Sequence, residues 1–275
     1  MKVALNTMVK NEEVILSHVL PIWLKYPVDY FIFYNDNSSD KTIEIIEKFL
    51  PKDKIVIIND NLISFNEGYQ RQKMIDKSRE LKVDYVICLD ADELLSSNIV
   101  QNFEDFLKIY NNVDLNLFWY NIVNNSLGEY RSDPLYENNF RSFVLPMKHT
   151  GNLDISLSNY HTPRTPNVNL PKIYTKEYGV IHLQSSNVKY YALKQLWYKH
   201  YEFKYYGYNA DSINKKYDVV INNLNFNPKK TDYSLIEGID IDLSFFENLA
   251  ETKGYLSFIK ENYNSSLVTF GEKYI

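Results

Sequence analysis

Up to Asp90, short apolar runs alternate with longer stretches carrying apolar residues on one helical stripe, and this predicts strands and helices in turn. Residues 2–6 read as a first strand. Thr7-Met8-Val9-Lys10-Asn11-Glu12-Glu13 then leads into a helix whose buried stripe is Ile15, Leu16, Val19, Leu20 and Trp23, stopped by Pro27. Residues 30–34 give a second strand, followed by a helix carrying Ile43, Ile45, Ile46 and Phe49. Residues 54–58 give a third strand and 65–80 a loop and helix. Residues 83–89 give a fourth strand, apolar without alternation, as expected of a central parallel strand covered on both faces. This order predicts right-handed βαβ units and an α/β fold around a mainly parallel sheet flanked by helices, with the strand ends near Asn6, Asn35 and Asp90 on one edge.

Beyond Glu93 the pattern predicts a helix over 99–110 and a strand over 114–120. Residues 121–181 are irregular, rich in Asn, Pro and Tyr, with short strands at 140–145 and 178–182. Over 190–208, Tyr190, Tyr191, Leu193, Leu196, Trp197, Tyr198, Tyr201, Phe203, Tyr205 and Tyr206 interleave with Lys189, Lys194, Lys199 and Lys204 in a helical pattern. Two readings stand: aromatics packing the helix on the sheet domain with the lysines as a solvated face, or contact with a membrane surface or acceptor. A last helix lies within 243–262, burying Phe245, Phe246, Leu249, Leu256 and Ile259. The organisation expected is an α/β domain over 1–185 and a helical, aromatic-rich extension over 186–275 packed on it.

Composition narrows the classes. A formal net charge of −5, with basic residues scattered, disfavours a nucleic-acid partner. The single cysteine, Cys88, excludes an intramolecular disulfide and reads as a buried small hydrophobe. No run approaches the length of a membrane span, so the chain reads as cytoplasmic, with peripheral membrane association left open by the aromatic helix.

The candidate chemistry lies at Leu89-Asp90-Ala91-Asp92-Glu93, where a buried strand runs into clustered acids. Ligands of open α/β sheets bind at such carboxyl ends. Two carboxylates at i and i+2 can turn toward one hard cation, Mg²⁺ or Mn²⁺, bridging diphosphate oxygens. The alternative is that Asp90 and Asp92 cap a following helix, and Ser39 or Asp40 can likewise be read as a helix cap.

Met8-Val9-Lys10-Asn11-Glu12, then Tyr34-Asn35-Asp36-Asn37-Ser38-Ser39-Asp40-Lys41-Thr42, then Leu89-Asp90-Ala91-Asp92-Glu93, in this order and spacing, resemble the family 2 glycosyltransferases. The resemblance covers about residues 1–95 and extends loosely to about 185. It implies the Rossmann-like GT-A fold and a nucleotide-sugar donor, with Asp36 against the nucleotide base and Asn35 where many members carry another acid. It also implies donor contacts from Val9, Asn11, Glu12, Asp40, Asp90 and Ala91, with Gln70 and Arg71 near the phosphates. The metal would be held by Asp90 and Asp92, completed by His182, with His161 as its competitor. For the inverting base the resemblance offers no motif; Asp133, Glu137 and Asp154 lie in the right region, and Asp154 is preferred on position. The implied activity is metal-dependent transfer from a nucleotide-diphosphate sugar, a uridine diphosphate sugar first, to a glycan, lipid-linked or protein-linked acceptor. The alternative is a catalytically degenerate protein that only binds the nucleotide-sugar. A sugar-nucleotide pyrophosphorylase is disfavoured because Asn6-Thr7-Met8-Val9-Lys10 lacks the glycine-rich phosphate loop such enzymes need.

Overall fold

The computed structural model describes residues 1–60, 66–109, 111–149, 151–152, 162–221, 224, 226–247 and 249–267. In chain order the first elements are β1 (Val3–Val9), α1 (Glu13–Trp23), β2 (Tyr30–Asn35), α2 (Thr42–Phe49), β3 (Ile55–Asn59), α3 (Glu67–Glu80), β4 (Tyr85–Cys88) and β5 (Glu93–Leu95). There follow α4 (Ser97–Gln101), α5 (Phe103–Ile109), β6 (Asp114–Val123), β7 (Ser126–Arg131), β8 (Phe140–Ser142), β9 (Val144–Pro146) and β10 (Lys172–His182). The last are α6 (Val188–Tyr206), α7 (Ala210–Ile221), β11 (Pro228–Lys230), α8 (Tyr233–Ile236) and α9 (Ala250–Glu261).

The chain forms two compact units that interleave in sequence. The first comprises Met1–Tyr120, Asn138–His182 and Asp232–Ile241, the second Asn121–Glu137, Leu183–Thr231 and Asp242–Ile275. In the first, a five-stranded sheet has the order β3-β2-β1-β4-β9, with β1 to β4 mutually parallel and β9 antiparallel at the edge. The strand expected over 83–89 is shorter, Tyr85–Cys88, with the exposed Asp84 outside it; every residue of β4 is buried, and the strand lies inside the sheet. The strand order reverses between β1 and β4, and that switch point is where open sheets hold ligands. One face packs Ala4, Ile32, Val86 and Cys88 against Met74 and Ile75 of α3.

The helix expected over 99–110 is two short helices, α4 and α5, broken at Asn102. The strand expected over 178–182 is much longer and begins at Lys172. Its Gly179 is packed so closely that an added Cβ would stand 2.5 Å from the Tyr120 ring and 2.8 Å from the Phe118 carbonyl oxygen. Gly179→Ala is therefore expected to cost about 1–3 kcal/mol by overpacking. A urea melt checks this, and an unchanged midpoint would show that the Tyr120 ring gives way freely.

In the second unit, α6, α7 and α9 share a core of Leu196, Ile213, Tyr217, Ile221 and Ile259. Within this unit Tyr190 of α6 meets Phe246, Trp197 meets Tyr255 and Tyr201 meets Phe258. The solvated row of lysines does not hold throughout. Lys199 is fully buried and bonds Asp218 Oδ1 at 2.6 Å, because a long stem on a core-facing position can bury itself only if its ammonium finds a carboxylate. No described helix is long and apolar enough to cross a membrane.

Candidate active site

The loops after β1 and β2 are laced together. Asn11, at φ 57°, accepts the Ser39 N–H at 2.8 Å, and the Glu12 N–H donates to Thr42 Oγ1 at 2.7 Å. Asp40 serves two helix starts at once, accepting from the Glu13 N–H at 3.1 Å and the Thr42 N–H at 2.9 Å. Asp40 thus ties the starts of α1 and α2 together without being the N-cap of either, since those positions are Glu12 and Lys41. Asn35 donates to Asn59 Oδ1 and accepts from the Ser38 N–H, while Val9 contributes its carbonyl to the Asp36 N–H. These polar residues build the frame around Asp36.

Asp36 itself is buried just past β2, its carboxylate shared between Lys10 Nζ at 2.8 Å and Gln70 Nε2 at 3.0 Å. Gln70 and Arg71 come from the buried face of α3, which also carries Glu67, Met74, Ile75 and Ser78. Arg71 bonds Glu67 Oε1 through Nε at 3.0 Å and Nη2 at 2.7 Å, and Asp90 Oδ1 at 3.3 Å. A surface ion-pair role for Arg71 is excluded by its 4% exposure.

Asp90, Ala91, Asp92 and Glu93 form a tight turn, with the Glu93 N–H donating to the Asp90 carbonyl at 3.0 Å and Glu93 Oε2 accepting the Asp90 N–H at 2.8 Å. No helix follows directly; β5 does, so these acids cap nothing. The position of β5 is fixed from α1 and the segment after it, by Trp23 Nε1 on the Glu93 carbonyl and the Tyr26 hydroxyl accepting the Leu95 N–H. β5 pairs antiparallel with β10 so that His182 lies opposite Glu93. That register brings His182 Nε2 to 3.4 Å from Asp92 Oδ2, with the imidazole stacked on Trp119 at a centroid distance of 4.3 Å. His182 therefore reaches the acidic turn from the far end of the unit. His161 and Asp154 lie outside the described residues. Asp133 is in the second unit, buried against Arg131, and Glu137 is exposed there.

Arg164 has no counterpart among the residues expected from sequence. Its Nη2 bonds both Asp90 Oδ2 and, at 2.6 Å, Glu93 Oε1, and its guanidinium lies over Trp119 and Phe143 at 5.1 and 4.9 Å. Thr162 nearby donates its N–H to Glu67 Oε2 at 3.0 Å. Charges thus alternate from Glu67 through Arg71, Asp90 and Arg164 to Glu93. Burial raises the Asp90 carboxyl, but Arg164 and Arg71 outweigh it and leave Asp90 below the ordinary range. Burial pushes the fully enclosed Glu93 up to about 7, with Arg164 opposing. Burial also pushes the Cys88 thiol up to about 11, which makes it the inert hydrophobe expected.

Among the described residues no three His, Cys, Asp or Glu side chains already form a metal shell. The donors nevertheless fit a hard divalent ion. Two ligands of one such ion stand about 3 Å apart, close to the Asp92–His182 separation, and Mg²⁺-type sites draw their remaining oxygens from substrate phosphates and water.

The family model for glycosyl transferase family 2 matches residues 9–161, more than half of the chain. The chain belongs to this family. Poly-beta-1,6-N-acetyl-D-glucosamine synthase of Staphylococcus aureus (strain COL) is 31% identical over 93 residues, which is 32% of this chain and 21% of the synthase. The crystal structure of S. aureus TarS matches with a TM-score of 0.50 at 12% identity, covering 97% of this chain and 50% of that one. At that identity the likeness is one of fold, the GT-A architecture expected from the motifs. The chain spans half the length of TarS, and its match covers about a fifth of the synthase.

Proposed function

We propose that the chain is a metal-dependent glycosyltransferase that moves a sugar from a nucleotide-diphosphate donor, first a uridine diphosphate sugar, to a glycan, lipid-linked or protein-linked acceptor with inversion. One observation carries the reading. At the edge where the parallel strands end, the buried Arg71, the largely enclosed Arg164 and the Asp92–His182 pair converge on the Asp90 turn, while Asp36 and Gln70 form a second polar site beside it. Asp36 is suited to accept from the N–H of a nucleobase, and Gln70 to hold its carboxylate in orientation. Arg71 can neutralise a donor phosphate by charge-assisted bonds. Asp90, Asp92 and His182 would hold Mn²⁺ or Mg²⁺, which when bound would stabilise negative charge on the departing nucleoside diphosphate. In the transfer, an acceptor oxygen bonds the anomeric carbon, the bond to the diphosphate oxygen breaks with its electron pair, and the acceptor proton passes to a carboxylate base, for which we propose Asp154. The partial match to a poly-N-acetylglucosamine synthase makes N-acetylglucosamine the first sugar to test.

Thermal unfolding against a nucleotide-sugar panel, with Mn²⁺, Mg²⁺ or chelator, tests this reading, since a ligand of the native state raises the melting point. The expected result is a rise of a few degrees confined to one nucleotide and larger with metal. No shift with any donor would refute the donor site in this chain.

A further inference from the structure

The described contacts of Arg164 are those of a side chain between two partners. Through Nη2 it neutralises Asp90 and Glu93, yet its Nε–H is buried with no acceptor among the described residues, although the side chain is only 10% exposed. A guanidinium N–H shut away from water without an acceptor is costly, and a planar donor fork of this kind suits an anionic oxygen pair. Asp90 is the reachable end of the pair, its side chain 35% exposed where that of Glu93 is fully buried. Arg71 differs, because two bonds to Glu67 one turn away on the same helix fix it in place. Asp90 therefore already carries one permanent cation and one held from the 162–165 segment. A divalent ion on the same carboxylate would face both positive charges at close range.

We propose that Arg164 is an exchangeable counter-ion: it sits on Asp90 and Glu93 in the free chain and transfers to the donor diphosphate on binding, releasing Asp90 for the metal. Its anion half rests on the donor reading above and its metal half on the proposed metal site at Asp90. Arg164 then opposes metal binding to the empty chain and favours nucleotide binding, so that ion and donor enter together. A purely structural salt bridge would not give effects of opposite sign.

The test compares wild type with Arg164→Gln by calorimetry: Mn²⁺ alone, then uridine diphosphate in chelator. The variant is expected to bind Mn²⁺ about tenfold more tightly and uridine diphosphate about tenfold more weakly, the effect of one charge-assisted contact. Circular dichroism checks the fold. If Arg164→Gln does not fold, Arg164→Lys, which keeps the charge without the fork, is expected to leave Mn²⁺ affinity near wild type and still weaken the nucleotide. Unchanged Mn²⁺ affinity in a folded Arg164→Gln, or a nucleotide affinity equal to wild type in either variant, overturns the proposal. Failure of wild type itself to bind any nucleoside diphosphate would overturn the donor reading with it.

Discussion

Asp92→Asn is expected to lower sugar transfer or donor hydrolysis by roughly 10²- to 10³-fold while leaving the fold intact, the loss that follows from the metal-holding role proposed for Asp92, where the charge would be worth several kcal/mol at the transition state. The substitution keeps shape and one carbonyl oxygen, so the tight turn from Asp90 to Glu93 and the pairing of β5 with β10 have no reason to change. What is lost is the negative charge beside His182 Nε2, 3.4 Å away. The neutral amide ligates a divalent ion poorly, and it presents to the imidazole either an oxygen or an NH₂ group. Turnover of a nucleotide-sugar measured alongside Mn²⁺ binding separates two outcomes. Joint loss of both supports Asp92 as the metal-holding carboxylate, whereas near-wild-type turnover would sink that assignment.

The fold was legible where local pattern and tertiary environment agree. The central strand β4 shows an unbroken apolar run because both of its faces are covered, and α1 shows its stripe because only one face of it is. The acids at Asp90 and Asp92, and Asp36 after β2, were legible because strand ends in a parallel sheet must meet at one edge. His182 needed more: its approach to Asp92 depends on the register of β10 against β5, a three-residue strand with no pattern of its own. Arg164 and Trp119 were not legible, since nothing near them in sequence indicates a carboxylate some seventy residues earlier or an imidazole stacked across two strands. Glu67 had a signal that was missed. It stands on the same helical stripe as Gln70, Arg71, Met74, Ile75 and Ser78, and a polar residue on a stripe that also carries core residues must find a buried partner. The compact units interleave in sequence, because the β6–β7 hairpin around 121–137 groups with the C-terminal helices through contacts such as Arg131 with Tyr191, a long-range pairing that no local pattern announces.

Arg71→Met is expected to destabilise the protein by about 3–5 kcal/mol, the cost of leaving a buried charge without its partner. Arg71 is 4% and Glu67 6% exposed, so solvent does little to screen the pair. Methionine matches much of the arginine stem in volume, which keeps the cavity contribution small and makes the loss chiefly electrostatic. Glu67 would then retain the Thr162 N–H on one oxygen and nothing from Arg71 on the other, while Asp90 would retain Arg164. The companion substitution Glu67→Gln removes the stranded charge, and combining it with Arg71→Met is expected to recover part of the stability. Urea denaturation of the two single variants and the double variant closes the cycle. A loss below about 1 kcal/mol for Arg71→Met would mean that the arginine contributes only position, and that the ion-pair lattice is retained for the site rather than for the fold.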